Sequence, residues 1–184
     1  MRSDAEVIEQ SLSRPAAFHL IFDRHFLTVH RYLRHRLSSD AAADDLAAET
    51  FTRAFAARHR YVASTRDARP WLYAIATNLL RDEQRRCGRV AALTDRLARE
   101  PASHRSDAPP GGDAVLTDAL LALRGEEREV LLLFAWAELS YEEIAAVVDA
   151  PVGTVRSRLS RARQKLRTHL AEPTQRPEVR DGRA

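Results

Sequence analysis

At 184 residues, 45% hydrophobic and 30% charged, the chain suffices for one ordinary domain or two small ones with buried cores, which excludes wholesale disorder. The net charge of +3 does not by itself indicate nucleic acid, and the single cysteine, Cys87, excludes an internal disulfide and fits a reducing compartment. No stretch is long and apolar enough to span a membrane and the N-terminus carries no apolar signal core, so a cytoplasmic protein is expected.

Ser13 before Pro15 marks a helix start. Phe18, Phe22, Val29, Leu33 and Leu37 then recur near helical spacing, which predicts one long helix to about Arg36. His25, His30 and His35 are spread around that helix, so they do not gather a metal site, and no metal or cofactor is expected. Ser38-Ser39-Asp40 caps a second helix with Ala47, Phe51, Ala54 and Phe55 on one face. Asp44, Asp45 and Glu49 cluster near its start. The helix dipole accounts for the first two and poorly for Glu49, which lies beyond the first turn.

Residues 59–69 read as a loop, and Pro70 opens a third helix that buries Leu72, Ile75 and Leu79. Trp71, Asn78 and Arg85 recur seven apart with Arg81 beside them, an aromatic, an amide and arginines on one exposed face. Such a face suits unpaired bases and their backbone. A Trp at a helix start is more often core, so the stripe carries more weight than Trp71 alone. Residues 88–112, rich in Pro and Gly, read as a linker. Helices at about 113–123 and 126–137 follow on either side of Gly125, with Leu116, Leu120, Leu123, Val130, Leu133, Phe134 and Ala137 as their core. The tail from Glu172 is expected to be disordered.

Between these helices and the tail, Ser140 and Glu143 form a capping-box signature, and Ile144, Val147 and Val148 give the next helix an apolar face. Asp149-Ala150-Pro151 breaks it. Beyond the break Val155, Leu159, Ala162 and Leu166 form one stripe, and Arg156, Ser157, Ser160, Arg161 and Gln164 lie opposite. Residues 150–170 hold six Lys/Arg and no acid, whereas residues 113–149 hold nine acids and two arginines. This is the layout of a helix-turn-helix whose outer side offers donors to guanine edges and phosphates, Arg158, Arg163 and Lys165 being assigned to phosphates. A merely solvated basic helix would not follow a capped helix and a break of this length. The fold expected is all-α: two small helical domains at 13–86 and 113–170, a flexible linker at 87–112 and a tail at 171–184.

No phosphate-cradling glycine loop, metal-spaced Cys/His set or nucleophile motif is present, so neither a catalytic residue nor a small-molecule substrate is expected. The order DDLAAETFTRAF, then RPWLYAIATNLLRDEQRR, then LSYEEIAAVVDAPVGTVRSRLSRARQKL resembles the extracytoplasmic-function (ECF) sigma factors of bacterial RNA polymerase. The resemblance implies a chain that binds core RNA polymerase and promoter DNA and is held by an anti-sigma partner. It implies that Asp45, Leu46 and Glu49 dock on the polymerase clamp helices, Ala48 standing where the family often has Gln. It also places Asn78 near a flipped base of the −10 element, and Arg81, Arg85 and Arg86 along the strand backbone. Arg156, Ser157, Ser160 and Arg161 would read the −35 element. A stand-alone helix-turn-helix regulator would explain only the C-terminal half. A DNA-processing enzyme would need a catalytic cluster that the N-terminal half lacks.

Overall fold

The computed structural model describes residues 2–37, 39–63, 67–95 and 114–171, and within them every regular element is helical. The N-terminal half contains α1 (Asp4–Ser13), α2 (His19–Arg34), α3 (Asp40–Ala57) and α4 (Arg69–Asp95), with 3-10 turns at Pro15–Phe18 and Arg58–Arg60. The C-terminal half contains α5 (Ala114–Leu121), α6 (Gly125–Ala135), α7 (Tyr141–Val148) and α8 (Val152–Ala171).

The sequence pattern starts the first helix at Ser13, but α1 precedes it. Ser3 Oγ accepts from the Glu6 N–H at 3.3 Å, and Glu6 Oε2 accepts from the Ser3 N–H at 2.7 Å. This is a capping box, and it lay in the sequence as Ser-x-x-Glu. The helix it starts buries Val7 and Ile8 completely or nearly so. Pro15 sits in the 3-10 turn, so the long helix expected from Ser13 is divided in two.

Asp4 fixes α1 in place. Its buried carboxylate accepts from Arg24 Nη1 at 2.7 Å, His25 Nε2 at 2.7 Å and the Ala68 N–H at 2.9 Å. One side chain thereby joins α1, α2 and the entry to α4. Burial alone would raise its pKa, but the hydrogen bonds from His25, Ala68 and Arg24 outweigh that and hold it well below the ordinary carboxylate range.

Around this joint Ile21, Val29, Tyr32 and Leu33 of α2 meet Ala43, Ala47, Phe51 and Ala54 of α3 and Leu72, Tyr73, Ala76 and Leu80 of α4. Tyr32 and Tyr73 meet edge-on at 5.3 Å, and burial pushes the Tyr32 phenol up to about 12. Three expected core residues lie outside it. Phe22 is exposed and stacks on Phe26 at 4.5 Å, Phe55 lies under the Arg58 guanidinium, and Leu116 is also exposed.

Helix α4 continues through Gly88 to Asp95, so the expected linker begins inside a helix. The remainder of that linker, to 112, and the expected tail from 172 lie outside the described residues. The two halves pack together, chiefly through α4 against α7. Helix α4 buries Tyr73, Ala76 and Leu80 in addition to the expected Leu72 and Leu79, whereas the expected Ile75 is only half-buried.

Asp4→Ala should destabilise the chain by about 3 kcal/mol, because it leaves the Arg24 and His25 side chains facing an empty buried site. The folded pKa of Asp4 lies below its unfolded value, so the carboxylate's contribution is full above about pH 4. It is lost as pH falls below that value toward the folded pKa. Urea unfolding of both proteins from pH 7 to pH 3 should show the difference narrowing on the acid side.

Candidate nucleic-acid interface

The helix-turn-helix is built as the sequence dictates. Ser140 Oγ accepts from the Glu143 N–H at 3.2 Å, and Glu143 Oε2 accepts from the Ser140 N–H at 2.8 Å. Ile144, Val147 and Val148 are buried, and α7 ends at Asp149 in the left-handed region (φ 53, ψ 57). A short polar side chain tolerates that conformation at modest cost. Pro151 then precedes α8, where Val155, Leu159 and Ala162 are buried and Leu166 is half-buried. Opposite them Arg156, Ser157, Ser160, Arg161 and Gln164 are exposed. Ser157 Oγ donates to the Thr154 carbonyl at 2.9 Å, and the Arg156 guanidinium lies 5.9 Å from the Tyr141 ring.

The three residues expected to bind phosphates are engaged inside the domain. Arg158 pairs with Glu126 at 2.7 Å, Arg163 lies 4.7 Å over Phe134, and Lys165 Nζ donates to Glu127 Oε2 at 2.7 Å. Glu127 is buried, and the bond from Lys165 holds its carboxyl below the usual glutamate range. These contacts attach α8 to α6. The acidic segment 113–149 therefore serves as the basic helix's own counter-surface, a use that charge counting along the chain could not separate from DNA binding.

On α4 the expected stripe is divided. Asn78 and Arg85 are exposed, as is Arg86. Trp71 is half-buried against Tyr61 at 5.1 Å, so it packs rather than standing free. Arg81 reaches the other half of the chain, donating from Nη2 to the Val148 carbonyl at 3.1 Å and to Glu129 Oε2 at 3.4 Å. Arg85 and Arg86 pair within the helix, with Asp82 at 2.9 Å and Glu83 at 2.7 Å.

On α3 Asp45 is exposed, Leu46 is half-buried, and Glu49 pairs with Arg53 at 2.7 Å. Asp44 accepts from His30 Nε2 at 2.6 Å, so the acidic cluster is partly tied to α2. Leu46 and Glu49 share a groove of about 450 Å³ with Leu79, Arg85 and Arg86 of α4. The candidate polymerase-binding residues thus border the candidate strand-binding ones. Among the described residues no His, Cys, Asp and Glu gather as a metal site, and no helix is long and apolar enough to cross a membrane.

Residues 21–90 match the model of Sigma-70 region 2, and residues 114–166 that of Sigma-70, region 4. The chain is 42% identical over 133 residues to the ECF RNA polymerase sigma factor SigC of Mycobacterium tuberculosis, covering 71% of each. The chain belongs to the ECF sigma factors. It is also 40% identical over 149 residues to the ECF RNA polymerase sigma factor SigE of Mycolicibacterium smegmatis, a match covering 76% of this chain and 56% of that longer protein. Among solved structures it is similar to the sigma factor RpoE of Bartonella quintana in complex with the anti-sigma factor NepR. The TM-score is 0.71 at 26% identity, covering 83% of this chain and 96% of that one. Region 2 of this ECF sigma factor thus carries the α3 and α4 faces, and region 4 carries the helix-turn-helix.

Because Lys165 is tied to a buried carboxylate, Lys165→Ala should cost region 4 about 1–3 kcal/mol. The loss should shrink when Glu127→Gln is already present, since the orphaned charge is then gone. A double-mutant cycle by chemical denaturation measures that coupling; additive losses would show the pair to be uncoupled.

Proposed function

We infer that this ECF sigma factor joins core RNA polymerase and directs promoter-specific initiation, reading the −35 element with region 4 and opening the −10 element with region 2. One observation carries the reading. A single chain presents two differently built exposed surfaces, Arg156, Ser157, Ser160 and Arg161 on a helix-turn-helix and Asn78 with Arg85 on α4. The first suits the major groove of a duplex. The second, with an exposed amide and flanking cations, suits a strand whose bases are already unpaired. A stand-alone regulator needs only the first.

The roles divide by geometry. Arg156 and Arg161 offer forked donors to guanine, and Ser157 and Ser160 keep the approach to the groove short. Arg158, Arg163 and Lys165 keep α8 rigid through their partners in and around α6 and reach phosphates only by leaving those partners. Asn78 takes the flipped base, Arg85 and Arg86 the strand backbone, and Trp71 props the start of α4 against Tyr61. Asp45, Leu46 and Glu49 dock on the polymerase. The protein acts by binding and by stabilising opened DNA rather than as an enzyme, and it works in the cytoplasm with its polymerase. Its similarity to a sigma factor solved with an anti-sigma factor supports control by such a partner here.

Purified chain and core polymerase, transcribed on a library of randomised promoters, should enrich one spaced pair of elements. Enrichment of a single duplex motif bound without polymerase would favour the stand-alone regulator.

An Asn reads a Watson–Crick edge only after unpairing, at a cost of a few kcal/mol. Asn78→Ala should therefore slow open-complex formation and alter preference at one −10 position, while polymerase binding and −35 recognition are kept. A template already mismatched at that position should recover much of the rate. Permanganate footprinting of matched and mismatched templates reads this directly, and equal defects on both would remove the strand-capture role.

A further inference from the structure

Arg81 belongs to the face of region 2 assigned above to the −10 strand, yet its guanidinium is spent on region 4. It donates to the Val148 carbonyl at 3.1 Å, at the end of the first helix of the helix-turn-helix, and to Glu129 at 3.4 Å. Glu129 is nearly fully buried at 5% side-chain exposure, and its Oε1 has no hydrogen-bond partner among the described residues. Arg81 is the one cation paired with it there. Asn78, Arg85 and Arg86 remain exposed, Arg85 and Arg86 pairing only within α4, so of the four residues assigned to the strand only Arg81 is held by region 4.

The seam around it is held and opposed at once. Arg69 Nη1 donates to the Ala137 carbonyl at 3.0 Å and to Glu138 at 3.2 Å, and Arg36 Nη1 donates to the Gly125 carbonyl at 2.7 Å. His35 lies against Trp136 at 4.0 Å between ring centroids. Against this, Arg36 and Arg128 each have a buried Nε with no hydrogen-bond partner among the described residues, and burial together with the Arg36 charge holds the Arg128 guanidinium below its ordinary range. An interface with unpaired buried donors and like charges is one that opens at low cost.

We propose that Arg81 is a shared latch: in the free chain it ties region 4 to region 2, and in the promoter complex it is handed to the single-strand backbone. The proposal rests on the strand-binding reading of α4. A guanidinium cannot fork onto both Glu129 and a phosphate in these positions, so closure and full strand binding compete for one side chain. The closed fraction then lowers the apparent affinity for single strands in proportion to its population.

The test uses the full chain with a dye on the exposed Cys87 of α4 and a second at Thr168→Cys on α8, read by energy transfer. Binding is measured on unlabelled protein with a fluorescent random-sequence DNA single strand. Glu129→Gln and, independently, Arg69→Gln at a separate contact should lower energy transfer and tighten strand binding several-fold. Arg81→Gln should lower energy transfer equally without tightening the strand. Adding strand to the otherwise unmutated labelled chain should itself lower transfer. Unchanged transfer in both Glu129→Gln and Arg69→Gln, with helicity kept, would overturn the latch. If Arg81→Gln tightened the strand as much as Glu129→Gln does, the domains would be latched but Arg81 would not be a strand contact. The handover and that part of the −10 assignment would then fall together.

Discussion

Helix α4 must satisfy two cores with one cylinder. On one side it completes the bundle of α2 and α3, where Leu72, Tyr73, Ala76 and Leu80 are sealed from solvent, and on another it receives α7 of region 4. A helix buried on more than one side leaves little of its surface for function, and that surface is where Asn78 and Arg85 emerge. The placement of the exposed amide therefore follows from the packing demands of the helix that carries it. Rigidity comes with this, because Tyr32 and Thr77 lock α2 to α4 by a buried hydroxyl contact at 3.1 Å. The base capture proposed for Asn78 is best served on such an element, since a rigid helix fixes the position of its side chain before DNA arrives.

Arginine does most of the structural joining. All but one of the 29 basic residues are arginine, and several reach across elements to carbonyl oxygens that helix ends leave unsatisfied. Arg128 donates to the Leu121 and Leu123 carbonyls at the end of α5, Arg69 to Ala137 and Arg81 to Val148, while Arg36 donates to the Gly125 carbonyl at the start of α6. The planar, permanently charged fork suits this use, because it can meet a carbonyl and a carboxylate at once. Among the described residues these arginines thus act as an internal adhesive. On α8 Arg156 and Arg161 stay exposed on the side away from the apolar stripe.

The two regions differ in how their electrostatics are arranged. Region 2 places its most protected carboxylate, Asp4, among three donors that fully compensate it. Region 4 places Glu127 against Lys165 within the domain, but leaves Glu129 to be compensated from region 2 by Arg81. A charge balanced inside its own domain stabilises that domain, whereas one balanced across a seam couples the two domains. That contrast separates contacts that build the domains from contacts that decide how they sit.

The helix-turn-helix was determined by sequence alone, because its signals are local: the Ser140 and Glu143 box, the Asp149 to Pro151 break and an apolar stripe with period 3.6 are each settled within a few residues. The same held for Val29 and Leu33 of α2, for Ala47, Phe51 and Ala54 of α3, and for Asn78 on an outer face, but not for the buried Ile21, His25 and Tyr32 of α2 or Ala43 and Thr50 of α3. The capping box at Ser3 was equally local, but α1 could be recognised as part of the core only through Asp4, whose partners lie 20 to 64 residues away. Phe22, Phe55 and Leu116 keep the right period yet face solvent, since periodicity fixes which residues share a stripe and cannot say how wide a stripe the neighbours cover. Only the tertiary structure decided which cations were free. Arg81, Arg158, Arg163 and Lys165 look like Arg156 and Arg161 along the chain, and differ in how closely carboxylates, a carbonyl and an aromatic ring from other helices hold them: Arg161 lies 3.7 Å from Glu127 and Arg156 5.9 Å from the Tyr141 ring, and both stay exposed.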